Sequence, residues 1–187
     1  MFAPQTLTAL SAAAFLLVAT AVPASADVTT CRGKLGRVTV DDLRVPQNST
    51  CELDRTRVKG GIKVARGASL VASRVTVIGS IQAENATSVT VVRESRIGGS
   101  VQLVQGKRAK ITDSEIDGSI QLESNSGRLK VSGNVVGADV QAFQNKGGVE
   151  IDDNVIDGNL QCKGNKPVPD GGDNTVLGSK EDQCRKL

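Results

Sequence analysis

Apolar and polar residues alternate along most of this chain in short runs, and the runs recur at a constant distance. Aligned copies form a seven-residue motif that begins at Val58, Val77, Ile97, Ile116, Val136 and Ile156. Successive copies are 19 or 20 residues apart, and the apolar residues do not follow the three-to-four-residue period of an amphipathic helix. A repeat of this length is typical of a solenoid, in which each unit buries its apolar face against the next.

The motif itself predicts a short strand followed by a bend. In IDGSIQL, at residues 116–122, the first, fifth and seventh residues are apolar, and the sixth is a glutamine that alternation directs outward. Glycine at the third position indicates a bend that excludes a Cβ, although Ala138 departs from this rule. A second alternating run, such as SVTVV from Ser88, follows each motif and predicts a second strand. Short polar residues that indicate hydrogen-bonded bends precede the motif at Ser95, Ser114, Asn134, Asn154 and Asn174.

Stacked units of this kind must pair their strands in parallel. A left-handed β-helix would show a hexapeptide period, which the observed spacing does not fit, and crossovers between parallel strands are strongly right-handed. The sequence therefore predicts an all-β, right-handed parallel β-helix (β-solenoid) with about 20 residues per coil and six to seven coils.

The N-terminal segment, residues 1–26, differs from the rest of the chain. It carries no charged side chain, holds an apolar stretch at residues 12–22 and ends in Ala24, Ser25 and Ala26, a pattern typical of a cleaved secretory signal peptide. The stretch is too short and interrupted for a transmembrane helix, and no later segment resembles one. We expect residues 27–187 to form a single β-helix domain in a secreted or cell-surface location. Its predicted parts are N-terminal capping coils (27–57), regular coils (58–162) and a C-terminal loop and cap (163–187).

Four cysteines lie at the two ends of the predicted domain. In an exported chain they are expected to form disulfides. Cys31 precedes Cys51 by 20 residues, which places the two in adjacent coils at a Cα separation that suits a disulfide. Cys162 ends the last full motif, and the Pro- and Gly-rich segment NKPVPDGGDN allows Cys184 to return to it. We predict the pairs Cys31–Cys51 and Cys162–Cys184, which would suppress fraying of the terminal coils.

The segment IDGNLQCKGNKPVPDGGDNTVLGSKEDQC, at residues 156–184, resembles the closing part of a group of small exported bacterial proteins. These proteins are mostly uncharacterised and carry G-x-[IVL]-Q repeats, and the resemblance extends over the expected mature chain. It implies export and a β-helix fold, and it brings no established activity. Two families similar in architecture are pectate-lyase-like enzymes, which combine clustered Asp ligands for calcium with a catalytic Arg or Lys and an aromatic-lined cleft, and bactofilins, which polymerise end to end.

Composition excludes several function classes. After removal of the signal peptide, Phe143 is the single aromatic residue, and the chain has no His, Trp or Tyr. A histidine acid–base group and an imidazole metal ligand are therefore ruled out, and the usual aromatic platforms for sugars and unpaired bases are disfavoured. We expect no cofactor and no specific nucleic-acid partner.

The glutamines at the sixth motif position form the first candidate site. They are predicted to make one outward row, continued by Lys63, at Gln82, Gln102, Gln121, Gln141 and Gln161. The row could bind a regular partner such as a glycan strand. A self-bonded amide ladder of the kind seen in stacked β-structures is the favoured alternative.

Basic residues form the second candidate site. Residues 32–74 hold 10 basic and 4 acidic residues, whereas residues 75–187 hold 13 basic and 15 acidic ones. The residues expected to cluster near the first coils are Arg55, Arg57, Lys59, Lys63 and Arg74. Such a cluster would attract an anionic cell-wall polymer or other anionic surface, although an ordinary solvated face is the favoured alternative.

Acidic residues give two further candidates. Glu94, Asp113, Asp153 and Asp173 recur before the motifs and could hold calcium, but Gly133 interrupts the row, and solvated carboxylates at bends are favoured. The pairs Asp113 with Asp117 and Asp152 with Asp157 could flank a glycosidic bond. Pairs of this kind are common on acidic surfaces, so no catalytic residue and no metal ligand is predicted.

Taken together, these features predict a secreted, non-enzymatic β-helix that acts as a structural or interaction module at the cell exterior. The alternative is a carbohydrate-binding or pectate-lyase-like, polysaccharide-acting β-helix. A lateral groove lined by convergent charged residues would favour the alternative, whereas regular ladders on every face would favour a scaffold. An end-to-end polymer is a third hypothesis, and it would require exposed apolar terminal coils.

Overall fold

A computed structural model describes residues 27–187 of the protein. Every regular element within these residues is a β-strand. The predicted signal peptide lies outside these residues. Within them, no helix is long and apolar enough to span a membrane. In chain order the strands are β1 (Val28–Thr30), β2 (Gly33–Leu35), β3 (Thr39–Val40), β4 (Asp42–Val45), β5 (Thr50–Asp54), β6 (Arg57–Val58), β7 (Ile62–Val64), β8 (Ser69–Ser73), β9 (Thr76–Val77), β10 (Ile81–Glu84), β11 (Ser88–Val92), β12 (Arg96–Ile97), β13 (Val101–Val104), β14 (Arg108–Thr112), β15 (Glu115–Ile116), β16 (Ile120–Glu123), β17 (Leu129–Ser132), β18 (Val135–Val136), β19 (Val140–Phe143), β20 (Val149–Asp152), β21 (Val155–Ile156), β22 (Leu160–Lys163), β23 (Asp170–Gly172), β24 (Thr175–Val176) and β25 (Lys180–Asp182).

The strands build three parallel sheets that run the length of the molecule. Sheet A contains β1 and every third strand after it up to β25, sheet B runs in the same way from β2 to β23, and sheet C from β3 to β24. Each coil supplies one strand to each sheet, and paired residues such as Ile120 and Val140 are 20 positions apart. The predicted all-β parallel solenoid and its coil length are confirmed.

The solenoid has about eight coils, so the predicted number of six to seven was too low. The two earliest coils lack the glutamine motif, yet Leu43 pairs with Ile62 and Val40 with Val58. At the other end, the segment expected to be a loop supplies β23, which pairs with β20. Stacking requires that the inward apolar residues of adjacent coils lie in register, and it does not require the glutamine motif. The number of motifs is therefore smaller than the number of coils.

The core consists of stacked aliphatic side chains from all three sheets. Ile116, Ile120 and Leu122, at the first, fifth and seventh motif positions, are fully buried, as are Leu129 and Val131 of the second predicted strand. Burial of one such side chain stabilises the fold by roughly 1.5–3 kcal/mol. The sequence pattern therefore identified the inward residues of these strands correctly.

Buried asparagines form a ladder at the corner between sheets B and C. The Asn134 side chain donates to Asn154 Oδ1 at 2.9 Å and to the Ile111 carbonyl at 2.8 Å. The Asn134 backbone N–H also donates to Asn154 Oδ1, at 3.0 Å, and Asn154 repeats the pattern with Asn174. The predicted hydrogen-bonded bends are confirmed at these positions.

A second asparagine ladder, at the corner between sheets A and B, was missed from the sequence. It contains Asn125, Asn145 and Asn165, all buried, and it ends on the Gln183 side chain. Asn145 Nδ2 donates to Asn165 Oδ1 and to the Leu122 carbonyl, each at 2.9 Å. The recurrence of Asn at the coil period ahead of the second strand was the available signal.

The corner between sheets C and A carries a third ladder, made by short polar side chains at the fourth motif position. Ser100 N–H donates to Ser80 Oγ at 3.0 Å, and Ser119 N–H donates to Ser100 Oγ at 3.0 Å. Asp139 and Asn159 continue the series, with Asn159 N–H donating to Asp139 Oδ1 at 2.7 Å. Because buried backbone donors must find acceptors, these ladders hold the three corners together along the rod.

The motif glycines are needed for close stacking between coils. Their φ values lie outside the left-handed region, but a Cβ on Gly118 would lie 2.8 Å from the Gly99 carbonyl carbon. A Cβ is thus excluded at Gly118 by the approach of one coil's backbone to the next, although Ala138 carries a Cβ at the equivalent position.

Substitution of Gly147 by Ala is expected to destabilise the solenoid by about 1–3 kcal/mol, the usual cost of overpacking. A Cβ there would lie well inside van der Waals contact with the backbone of Gly127 in the preceding coil. Gly36→Ala is the matched control, because a Cβ at Gly36 meets no atom within 4 Å. Chemical denaturation of the two variants measures the difference, and equal stabilities would contradict the stacking explanation.

Both predicted disulfides are present. The Cα atoms of Cys31 and Cys51 are 5.6 Å apart, and those of Cys162 and Cys184 are 5.2 Å apart. All four cysteines are buried. Cys162 pairs in register with Asp182, so Cys184 lies two residues beyond the end of β25. The second disulfide therefore ties a C-terminal turn, with Leu187 packed on the core, across the last coil.

Candidate functional site

The predicted glutamine row lies along the outer face of sheet A. Strand register places Lys63, Gln82, Gln102, Gln121, Gln141 and Gln161 at equivalent positions in successive coils. Arg44 precedes the row, and Glu181 follows it. We call this series, from Arg44 to Glu181, the sheet A column.

Hydrogen bonds divide the amides of the sheet A column into two ladders. Gln102 Nε2 donates to Gln121 Oε1 at 2.7 Å, and Gln82 reaches Gln102 at 3.5 Å. Gln141 Nε2 donates to Gln161 Oε1 at 3.0 Å, and Gln161 donates to Glu181 at 2.9 Å. No such bond joins Gln121 to Gln141, although both belong to the described part of the chain. The amide ladder is thus interrupted in the middle of the face.

Phe143 lies beside this interruption. It is the last residue of β19, two positions after Gln141 on the same side of the strand, and it is partly exposed. Its neighbours in register are Glu123 and Lys163, both exposed. The one aromatic side chain of residues 27–187 therefore lies outside the core, in a polar surface row. The sequence singles out Phe143 by its composition but does not place it on a face.

The N-terminal half of the same face contains an open groove. Its lining includes Arg44, Lys63 and Arg66 together with Gln82 and Gln102. Arg44 and Lys63 are direct neighbours across β4 and β7, and neither has an ion-pair partner among residues 27–187. The carboxylates of Asp42 and Glu84 also line the groove. The motif alignment includes Lys63 and misses Arg44, although Arg44 lies one repeat period before it.

The five basic residues predicted to cluster lie on different sides of the rod. All are exposed. Lys63 is on sheet A, and Arg57 is on sheet C. Arg55 and Arg74 follow sheet B strands at the corner with sheet C, and Lys59 follows β6. The structure therefore brings Arg55 and Arg74 together at one corner, where both pair with Asp54, and places Lys63 apart from them on another sheet.

Three of these basic residues are also engaged by carboxylates. Arg55 and Arg74 both pair with Asp54, and Lys59 pairs with Asp41 at 2.9 Å. Desolvation raises the pKa of the Asp54 carboxyl, but hydrogen bonds and charge from Arg74 and Arg55 outweigh it and lower the pKa below its ordinary value. These pairs reduce the positive charge available to a polyanion.

Glu150 on sheet B forms a comparable centre. Hydrogen bonds from Lys130 and Arg128 lower the pKa of its carboxyl, partly opposed by desolvation. This ion pair contributes stability above the ordinary pKa of a glutamate, and the contribution is lost as the pH falls through the lowered folded-state value. The ion pairs of Glu150 with Arg128 and Lys130 therefore link two adjacent coils.

The row of acidic residues has a backbone explanation. Glu94, Asp113, Asp153 and Asp173 all have φ between +50° and +59°, and the interrupting Gly133 has φ of +67°. Asp and Gly are favoured in this left-handed region. Among residues 27–187, no group of three or more carboxylate or thiol side chains is placed to hold a metal ion.

The carboxylate pairs proposed for catalysis flank strands of sheet C. Asp113 precedes β15 and Asp117 follows it, and both are exposed. Asp152 lies in β20, whereas Asp157 follows β21. Each pair is therefore separated by the length of a sheet C strand and its corner.

Several exposed large apolar side chains belong to the terminal coils. Val28 and Val38 lie in the first coil, and Val168 and Leu177 lie in the last, with Leu177 72% exposed. Lys180 and Asp182 nevertheless stand at inward register positions of the edge strand β25, opposite Leu160 and Cys162. Charged residues at such positions oppose edge-to-edge association.

A scan of protein-family models, a search of curated proteins and a search of solved structures each found no match to this chain.

Proposed function

We propose that this chain is an exported, non-enzymatic, rigid module with a structural or interaction role at the cell exterior. The observation that carries the proposal is the presence of side-chain ladders at all three corners of the solenoid. Through these ladders, polar side chains that recur at the corners of successive coils bind the protein's own backbone. A rod whose polar side chains bond to one another and to its own backbone is better suited to spanning a distance or displaying a binding surface than to catalysis.

Export is supported by three features. Both disulfides are buried and tie terminal coils, and structural disulfides persist in oxidising compartments. The N-terminal sequence pattern and the resemblance to small exported bacterial proteins with G-x-[IVL]-Q repeats point to the same location. The chain is proposed to be cleaved after Ala26 and to function outside the cytoplasm.

Expression of the full chain in a bacterial host tests this proposal. The expected result is extracytoplasmic protein that begins at Asp27, contains both disulfides, and releases no new reducing ends or unsaturated products from a panel of acidic and neutral polysaccharides. Cytoplasmic retention of the uncleaved chain would contradict export. Turnover of a polysaccharide would instead establish the enzymatic alternative, for which the open groove beside Arg44 and Lys63 is the supporting feature.

End-to-end assembly is a second candidate, favoured by the exposed apolar residues of the first and last coils. The charged inward positions of β25 and the disulfide-tied C-terminal turn oppose it. Analytical sedimentation of the oxidised protein decides between the two: a single species of monomer mass supports the module, and filaments support the polymer.

A further inference from the structure

We propose that the outer face of sheet A binds an extended glycan in which acidic and neutral sugars both occur, with the glycan lying along the rod. This inference rests on the proposed role as an exterior interaction module and names its surface and partner. Three features of the face carry it: the position of Phe143, the interruption of the amide ladder, and the unpaired basic residues Arg44 and Lys63.

Phe143 supplies an apolar platform at a place where the fold does not require one. Burying a phenylalanine in the core would stabilise the chain by roughly 1.5–3 kcal/mol, yet this side chain lies in a surface row between Glu123 and Lys163. A partly exposed aromatic ring beside hydrogen-bonding groups fits a ligand that has an apolar face and polar edges. A pyranose ring, with C–H groups on its faces and hydroxyls at its rim, has this character.

The interrupted ladder supplies the hydrogen-bonding groups. Gln121 accepts from Gln102, and Gln141 donates to Gln161, so an amide donor of Gln121 and the amide oxygen of Gln141 remain without side-chain partners. They face each other across adjacent coils, and Phe143 is two residues from Gln141. A sugar hydroxyl both donates and accepts a hydrogen bond, so it can complete the ladder at this point.

The positive end of the sheet A column selects for an acidic group. Arg44 and Lys63 are stacked in adjacent strands, about 4.8 Å apart by coil spacing, and like charges directly opposite each other are unfavourable. Arg66 lines the same groove. A carboxylate bound between the two basic side chains relieves this repulsion and gains charge-assisted hydrogen bonds.

The charge changes sign along the face, which restricts the partner further. Glu123 and Glu181 lie on the half that contains Phe143 and outnumber Lys163 there, so a polymer with a carboxylate on every sugar is disfavoured on that half. From Arg44 to Gln141 the column climbs five coils, about 24 Å at the usual strand spacing. A linear glycan that combines uronic acids with neutral sugars matches this length and this charge gradient, whereas inorganic polyphosphate leaves Phe143 and the amide gap unused.

The test is equilibrium binding by calorimetry with the full chain and both disulfides formed. The probes are oligosaccharides of alternating uronic acid and N-acetylhexosamine, a homopolymeric polyuronate, a neutral glucan and inorganic polyphosphate. We expect the alternating oligosaccharide to bind most tightly, with an affinity that falls as salt is raised.

Variants on sheet A are compared with matched variants on the other faces. Arg44→Gln with Lys63→Gln is expected to weaken binding of the alternating oligosaccharide about tenfold or more and to flatten its salt dependence. Phe143→Leu keeps apolar bulk but removes the ring, and a similar loss is expected without a change in melting temperature. Arg57→Gln on sheet C and Lys110→Gln on sheet B should change affinity less than about twofold. These ratios correspond to roughly 1.4 kcal/mol per factor of ten.

The inference is overturned if Phe143→Leu binds as the unaltered protein does, if the control variants lose as much affinity as the sheet A variants, or if polyphosphate or polyuronate binds as tightly as the alternating oligosaccharide. Failure of the proposed function is separate, because it appears as cytoplasmic retention or polysaccharide turnover. An extracytoplasmic, inactive protein that binds none of the probes would contradict the glycan surface alone.

Discussion

Replacement of Asn145 by Ala is expected to lower the free energy of unfolding by about 3 kcal/mol or more. The Asn145 oxygen accepts from the backbone N–H and the side chain of Asn125, at 2.9 and 3.0 Å, while its nitrogen donates to Leu122 and Asn165. All the asparagines involved are buried. Each buried polar group left without a partner costs about 1–3 kcal/mol, and this substitution leaves more than one.

Gln121→Ala is the matched control for this prediction. Gln121 also belongs to an amide ladder, but it lies on the outer face, where water replaces a lost hydrogen bond. Its removal is expected to cost less than about 1 kcal/mol. Urea unfolding followed by circular dichroism measures both variants, and an Asn145→Ala variant no less stable than Gln121→Ala would refute a dominant role for the buried ladder.

Removal of the C-terminal disulfide, by Cys162→Ala with Cys184→Ala, is expected to destabilise the last coil by about 3 kcal/mol, the loop-entropy value for a closed loop of this size. The turn that carries Leu187 is held to the core by this bond. In a solenoid each coil contacts only its neighbours, so the loss should appear as local fraying of β25 and β22. Hydrogen exchange read by mass spectrometry should show faster exchange at residues 160–182.

Cys31→Ala with Cys51→Ala provides the comparison, because the two bridges span similar sequence separations of 20 and 22 residues. This variant should fray β1 and β2 and leave β25 protected. Release of β25 also uncovers the edge of β22, so the C-terminal variant alone should form dimers by light scattering. Unchanged protection of β25 after loss of Cys162 and Cys184 would show that the cap does not depend on the bridge.

Several features of this protein follow from residues that can be identified in the sequence alone. The repeat period and the alternation within IDGSIQL determine the coil length and the inward positions of Ile116, Ile120 and Leu122, because stacking demands one apolar set per coil. The spacing of the four cysteines determines their pairing, because only adjacent coils bring Cα atoms within disulfide reach. These inferences need only local periodicity and the distance between coils.

Only the tertiary structure decided which side chains from different positions of the repeat share a surface. The points at which the chain turns within each coil determine whether a residue belongs to sheet A, B or C. The periodic pattern of apolar residues does not specify these points. For this reason Arg55 and Arg57 lie away from Lys63, whereas Arg44 lies next to Lys63 and Phe143 lies beside the sheet A column. The Asn145 ladder depends in addition on burial at a corner. There the Asn145 side chain hydrogen-bonds the buried groups of the neighbouring coils, which water cannot reach. The number of coils was likewise decided by pairing in space, because β-strands can stack in register without the motif.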